Sequence, residues 1–288
     1  MKCDLDLARD EVSCLLDLAL DMKRHPALYR DALAGRYLAL LFEKPSLRTR
    51  LTFELAIKQL GGDSILSIGP VGDREPVKDV ARNLDRWTNG IVARTFSQST
   101  IEELARWSAV PVINALSDLY HPCQALADVL TLKEQFGELS GRKVAFVGDG
   151  NNVAHSLMLT ATRLGASVAV ATPPGYEPKA DIVATAGALV TNSPEEAVAG
   201  ADAVYTDVWA SMGQESQKAQ RLRDFGAYQV TAKLMALAKP SAIFMHCLPA
   251  KRGEEVADEV IESAQSVVFD QAENRLHSQK ALLLMLLS

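Results

Sequence analysis

The chain has 288 residues, 48% hydrophobic and 23% charged, which is enough apolar material for a packed core and too much for a disordered or collagen-like polypeptide. Thirty Lys and Arg against 36 Asp and Glu leave a formal charge of −6, which disfavours a nucleic-acid binder but allows a local pocket for one small anion. The four cysteines (Cys3, Cys14, Cys123, Cys247) have neither C-x-x-C nor zinc spacing, so no disulfide framework and no metal site is expected.

The opening segment MKCDLDLARDEV lacks the apolar core of a signal peptide, and the tail ALLLMLLS is far shorter than the ~20 residues of a membrane span. The expectation is a soluble, cytoplasmic protein with no membrane or nucleic-acid partner.

Along the chain, Val12, Leu15, Leu16 and Ala19 fall on one helical face. The run YLALLF at 37–42 reads as a buried strand. A helix follows Ser46, with Phe53, Ala56, Ile57 and Leu60 on its apolar side and Gly61-Gly62 as its stop. SILSIG, GIVARTF and PVINA read as strands; 77–87 and 101–107 read as helices. A helix spanning 121–136 precedes GELSG at 137–141, which reads as a domain boundary. A second alternation then begins with KVAFVGDG and continues through SVAVATPPG, ALVTN, AVYTDVW, AIFMHCLP and SVVFDQ. A last apolar helix is expected at about 278–287, packing back on the first half. The alternation predicts an α/β protein of two doubly wound parallel-sheet domains, 1–136 and 137–288.

Several motifs fall at strand ends or helix starts. Lys44-Pro45-Ser46-Leu47-Arg48-Thr49-Arg50 opens a helix. A helix N-terminus offers unpaired N–H groups to an anion, and an arginine fork matches phosphate; a plain capped helix explains the same residues. His121-Pro122-Cys123-Gln124 opens another helix, with His121 and Gln124 three apart and able to share a target. Gly148-Asp149-Gly150-Asn151-Asn152 resembles a dinucleotide loop, but Val153 replaces the third glycine and no acid follows the next strand. No nicotinamide or other cofactor is therefore expected, and a turn presenting Asn151 or Asn152 fits better. Asp207-Val208-Trp209-Ala210-Ser211-Met212-Gly213 and His246-Cys247-Leu248-Pro249 both lie past apolar strands, where open α/β sheets place ligands. Asp207 suits an ammonium group. Arg275 is either a surface cation or an anion ligand.

The joint order of these motifs resembles that of the carbamoyltransferases, and the Asp207 and His246 segments resemble the ornithine carbamoyltransferases among them. The resemblance implies a carbamoyl-phosphate domain, an ornithine domain, an active site in the cleft between them, and a homotrimer. By matching position it implies that Ser46, Leu47, Arg48 and Thr49 hold phosphate, and that Arg94 bridges phosphate and carbonyl. It gives the carbamoyl end to His121 and Gln124, with Cys247 and Leu248 beside the reacting amine and Arg275 closing over carbamoyl phosphate. Ornithine falls to Asn152, Asp207, Ser211 and Met212. The groups expected to act in the chemistry are Cys247, Arg94, His121 and Arg48, with carbamoyl phosphate and L-ornithine as substrates and citrulline and phosphate as products of arginine metabolism. N-acetylornithine, N-succinylornithine and putrescine are alternative acceptors. Two positions depart from the family pattern. Leu47 stands where many members have Thr, and Pro70 stands where a neighbouring subunit often supplies a polar residue, a role open here to Arg74 or Lys78.

Overall fold

The computed structural model describes residues 1–44, 46–210 and 215–288. They form two compact units, 1–130 with 273–288, and 131–272. The expected domain boundary lay at 136/137.

The first unit alternates α1 (Arg9–Arg24), β1 (Tyr37–Phe42), α2 (Leu47–Gln59), β2 (Asp63–Ile68), α3 (Val77–Trp87), β3 (Gly90–Arg94), α4 (Gln98–Trp107), β4 (Val112–Leu116) and α5 (Pro122–Phe136), the unit boundary falling within α5. Its strands form a parallel sheet in the order β2-β1-β3-β4. β3 is buried at all five residues, as a strand covered on both faces must be. One sheet face packs Ala39, Leu41, Ile91 and Ala93 against Ala81, Ile101 and Leu104.

The second unit contains β5 (Lys143–Val147), α6 (Asn152–Arg163), β6 (Ser167–Ala171), α7 (Ala180–Ala186), β7 (Leu189–Thr191), α8 (Pro194–Val198), β8 (Ala203–Thr206), α9 (Lys218–Asp224), α10 (Ala232–Met235), β9 (Ile243–His246) and α11 (Asp258–Ile261). Its parallel sheet runs β7-β6-β5-β8-β9. The last helix, α12 (Val268–Leu287), carries the other unit boundary. Within the first unit it runs from Glu273 to Leu287, whose side chain lies beside Gly90 at the N-terminal end of β3.

Two readings from the sequence need correction. SVVFDQ is not a strand: Ser266 makes one isolated bridge to Phe244, and the helix starts at Val268. The last helix therefore has 20 residues, beginning ten before the expected 278. Val267, Val268 and Phe269 look like strand residues, but the DQAENR that follows favours helix, and Asp270 in the first turn suits the helix dipole.

Each sheet reverses its winding once. In the first unit the reversal lies between β1 and β3, with Phe42 opposite Arg94; in the second it lies between β5 and β8, with Val147 opposite Thr206. Ligands of open α/β sheets bind beyond the strand ends at such points.

Candidate active site

In the first unit the segment after Phe42 enters α2. Ser46 is its N-cap, its hydroxyl accepting from the Thr49 N–H at 3.3 Å. Ser46 thus satisfies one of the N–H groups expected to face an anion. Leu47 is 71% exposed, so any contribution to a ligand is through its backbone, and Arg48 is half-buried. Glu43 ties this segment to its neighbours, accepting from Val71 N–H at 2.8 Å and Phe96 N–H at 2.7 Å.

Thr49, Gln124 and Arg275, far apart in sequence, meet. The Arg275 guanidinium donates to Gln124 Oε1 at 2.6 Å and Thr49 Oγ1 at 3.0 Å, while Gln124 Nε2 donates to Asp128 Oδ1 at 2.8 Å. All four residues are buried. His121 immediately precedes α5 and is also buried. Burial first, then the positive charges of Arg275 and Arg94, hold its imidazole well below the ordinary 6.5, so it is neutral at neutral pH. Arg94 ends β3, 7% exposed, its carbonyl accepting from Glu43 N–H. The first unit thus gathers two guanidinium groups, a neutral imidazole and an amide, a donor set suited to an anion and a polarised carbonyl.

In the second unit, Gly148 (φ +146°) and Gly150 shape the turn after β5; a Cβ on Gly150 would lie 2.2 Å from Pro178 N. That turn delivers Asn151. Its Oδ1 caps α6 by accepting from Val153 and Ala154 N–H, and its Nδ2 donates to Asp207 Oδ2 at 2.8 Å, across the point where the sheet reverses. The other carboxylate oxygen, Asp207 Oδ1, accepts from Cys247 Sγ at 3.0 Å. Asn152, singled out from the sequence, is the first residue of α6. Ser211 and Met212 lie outside the described residues.

Behind Cys247, His246 accepts the Leu248 N–H on Nδ1 at 2.9 Å, so its proton sits on Nε2 and is donated to Glu255 Oε1 at 3.1 Å. Leu248 takes a left-handed φ of 56° at this contact. Asp207, His246 and Cys247 bring one potential metal-binding atom each within 4.8 Å of one another. The Nδ1 lone pair is already committed to Leu248 and Nε2 carries a proton, so His246 in this tautomer has no lone pair to offer a metal. Asp149 and Arg221 form a buried ion pair at 2.8 Å, Arg221 also donating to the Trp209 carbonyl. Burial pushes the Asp149 carboxyl up to about 6 despite that partner.

Glu43, Asn151, Asp149, Arg221 and Glu255 were not chosen from the sequence as site residues. Asn151 alone carried a signal there, as one of the two asparagines in the turn.

The chain belongs to the aspartate/ornithine carbamoyltransferase family: residues 3–134 match its carbamoyl-P binding domain and 140–286 its Asp/Orn binding domain. The chain is 55% identical to the ornithine carbamoyltransferase of Thermus thermophilus over 96% of this chain and 93% of that one. It is 52% identical to that of Carboxydothermus hydrogenoformans, over 98% and 95%. The solved ornithine carbamoyltransferase of Pyrococcus furiosus superposes with a TM-score of 0.95 at 46% identity, covering 100% of this chain and 96% of that one.

Proposed function

We infer that this protein transfers the carbamoyl group of carbamoyl phosphate to the side-chain amine of L-ornithine, giving L-citrulline and phosphate. The observation that carries the reading is the buried Thr49–Arg275–Gln124 cluster in the unit that also holds Arg94 and a neutral His121.

The attacking nitrogen bonds to the carbamoyl carbon as the C–O bond to phosphate breaks, phosphate leaving with the electron pair. Arg48, Arg94, Arg275 and the α2 N-terminus, through Ser46, Leu47 and Thr49, meet the phosphate charge. Arg94, His121 and Gln124 stabilise the oxyanion, each well-placed donor contributing about 3–4 kcal/mol. An amine with a pKa near 10.4 must lose its proton first, which at pH 7 costs about 4–5 kcal/mol. Cys247 and Asp207 are the groups placed to orient the amine or take its proton, with Leu248 beside it. Asn152, Asp207, Ser211 and Met212 bind the rest of ornithine, Asp207 pairing with the α-ammonium. N-acetylornithine and N-succinylornithine lack that ammonium, and putrescine leaves the carboxylate-reading amide idle.

The working form is a homotrimer acting in cytoplasmic arginine biosynthesis. An exposed apolar row on α2 (Leu47, Leu51, Leu55) and exposed Ile65 and Ile68 on the edge strand β2 support self-association. Among the described residues no helix is long and apolar enough to cross a membrane.

Acceptor competition tests the substrate. With equimolar ornithine, N-acetylornithine and putrescine, the carbamoylated products (citrulline, N-acetylcitrulline and N-carbamoylputrescine) should show ornithine favoured by at least about 100-fold in kcat/KM. Equal use of the acetylated acceptor would remove Asp207 from its role.

A further inference from the structure

We propose that Gln98 and Ser117 lock the turn that carries His121 to the end of β3, and that Ser117 is thereby a positioning residue for carbamoyl transfer. The proposal rests on the assignment of His121 and Arg94 to the carbamoyl oxygen.

β3 and β4 are neighbours, and their register slips at the last rung, where Ala93 faces Asn114 but Arg94 faces Leu116. The chain then turns through 117–120, closed by the Ser117 N–H donating to the Tyr120 carbonyl at 2.9 Å. His121 follows directly, and α5 starts at the next residue, so any shift of the turn passes to the imidazole without slack.

Ser117 is completely buried, and its hydroxyl is saturated. It donates to Gln98 Oε1 at 2.7 Å and accepts from Leu119 N–H at 3.2 Å and Tyr120 N–H at 3.1 Å. Gln98, four residues after Arg94, takes the turn at a second point: its backbone N–H donates to Asp118 Oδ1 at 2.7 Å. Asn114 fixes the direction of the Gln98 amide, donating to Oε1 at 3.1 Å. The turn bearing the imidazole is therefore tied at two points to the segment leaving Arg94.

Burying an amide and a hydroxyl is costly unless each is bonded, and apolar residues would fill the same space at no such cost. What these bonds supply is direction. A displacement near 1 Å at a reacting group can cost on the order of 100-fold in rate.

The test compares Ser117→Ala, Ser117→Thr and His121→Ala, with the double variant of Ser117→Ala and His121→Ala. Ser117→Ala should lower kcat about 10- to 30-fold with KM for ornithine within about twofold, and Ser117→Thr should restore kcat to within about threefold of the parent. In the His121→Ala background Ser117→Ala should cost nothing further, because its effect runs through the imidazole. A Ser117→Ala enzyme within twofold of the parent, or a penalty that persists in full without His121, would overturn the lock alone. Full activity of His121→Ala would overturn the site assignment, and the lock with it. If Ser117→Ala does not fold, Gln98→Met is judged by the same two criteria; it removes the acceptor and leaves the two backbone bonds to Ser117.

Discussion

The two units support their functional groups in opposite ways. In the first, the Arg275 guanidinium is held by neutral acceptors, Thr49 and Gln124, and the nearby imidazole is kept neutral. Those bonds fix a cation without cancelling its charge. In the second, charge is cancelled close to the site by the Asp149–Arg221 ion pair, while a neutral His246 donates to Glu255 and Asp207 is held by the neutral donors Asn151 and Cys247. The contrast teaches that a group meant to meet a charged ligand is held by dipoles, and that ion pairs are kept for the scaffold behind it.

The largest effect expected from this contrast is at Arg275. Replacing it with Met should lower kcat/KM for carbamoyl phosphate by about 100- to 1000-fold, measured at saturating ornithine. A loss below tenfold would mean that the guanidinium is only a structural tie between α12 and α2.

Arg221→Met should act on stability instead. Breaking one partner of a buried pair costs about 3–5 kcal/mol, read from urea denaturation. Phosphate affinity, which belongs to the first unit, should stay within about twofold. A weakened phosphate site with unchanged stability would reverse the contrast.

Asp149 adds a pH signature. Its folded pKa of about 6 lies above the ordinary 3.8, so its contribution is full below about pH 4 and is lost as pH rises through about 6. At about 1.4 kcal/mol per pKa unit this is on the order of 3 kcal/mol. Asp149→Asn should therefore gain stability relative to the parent between pH 4.5 and 7 in paired thermal melts. A difference that does not change with pH would mean that Asp149 ionises at its ordinary value.

The smallest expected effect concerns Gln279 on α12, 1% exposed, with neither amide atom hydrogen-bonded. Gln279→Leu should raise stability by about 1–2 kcal/mol and leave kcat unchanged. A destabilised variant would show that the amide has a partner in solution.

Much of this was legible in the sequence because it is local. Buried parallel strands such as β1 and β3 are continuous apolar runs, and the motifs after them sit at the ends of those runs. α12 was cut short because three strand-like residues obscured its first turn. The supporting residues were invisible because their meaning lies in distant partners: Arg221 is 72 residues from Asp149, and Glu43 is 28 from Val71 and 53 from Phe96. The residue pattern leaves Asn151 and Asn152 level and the resemblance points to Asn152; only the cap geometry shows Asn151 committed to Val153, Ala154 and Asp207.

The most direct measurement follows [13C]carbamoyl phosphate mixed with ornithine and the enzyme by paired 13C and 31P NMR. Citrulline and inorganic phosphate should rise together, one for one, and only when ornithine is present. Phosphate released without citrulline, or no turnover of the labelled carbon, would contradict direct carbamoyl transfer.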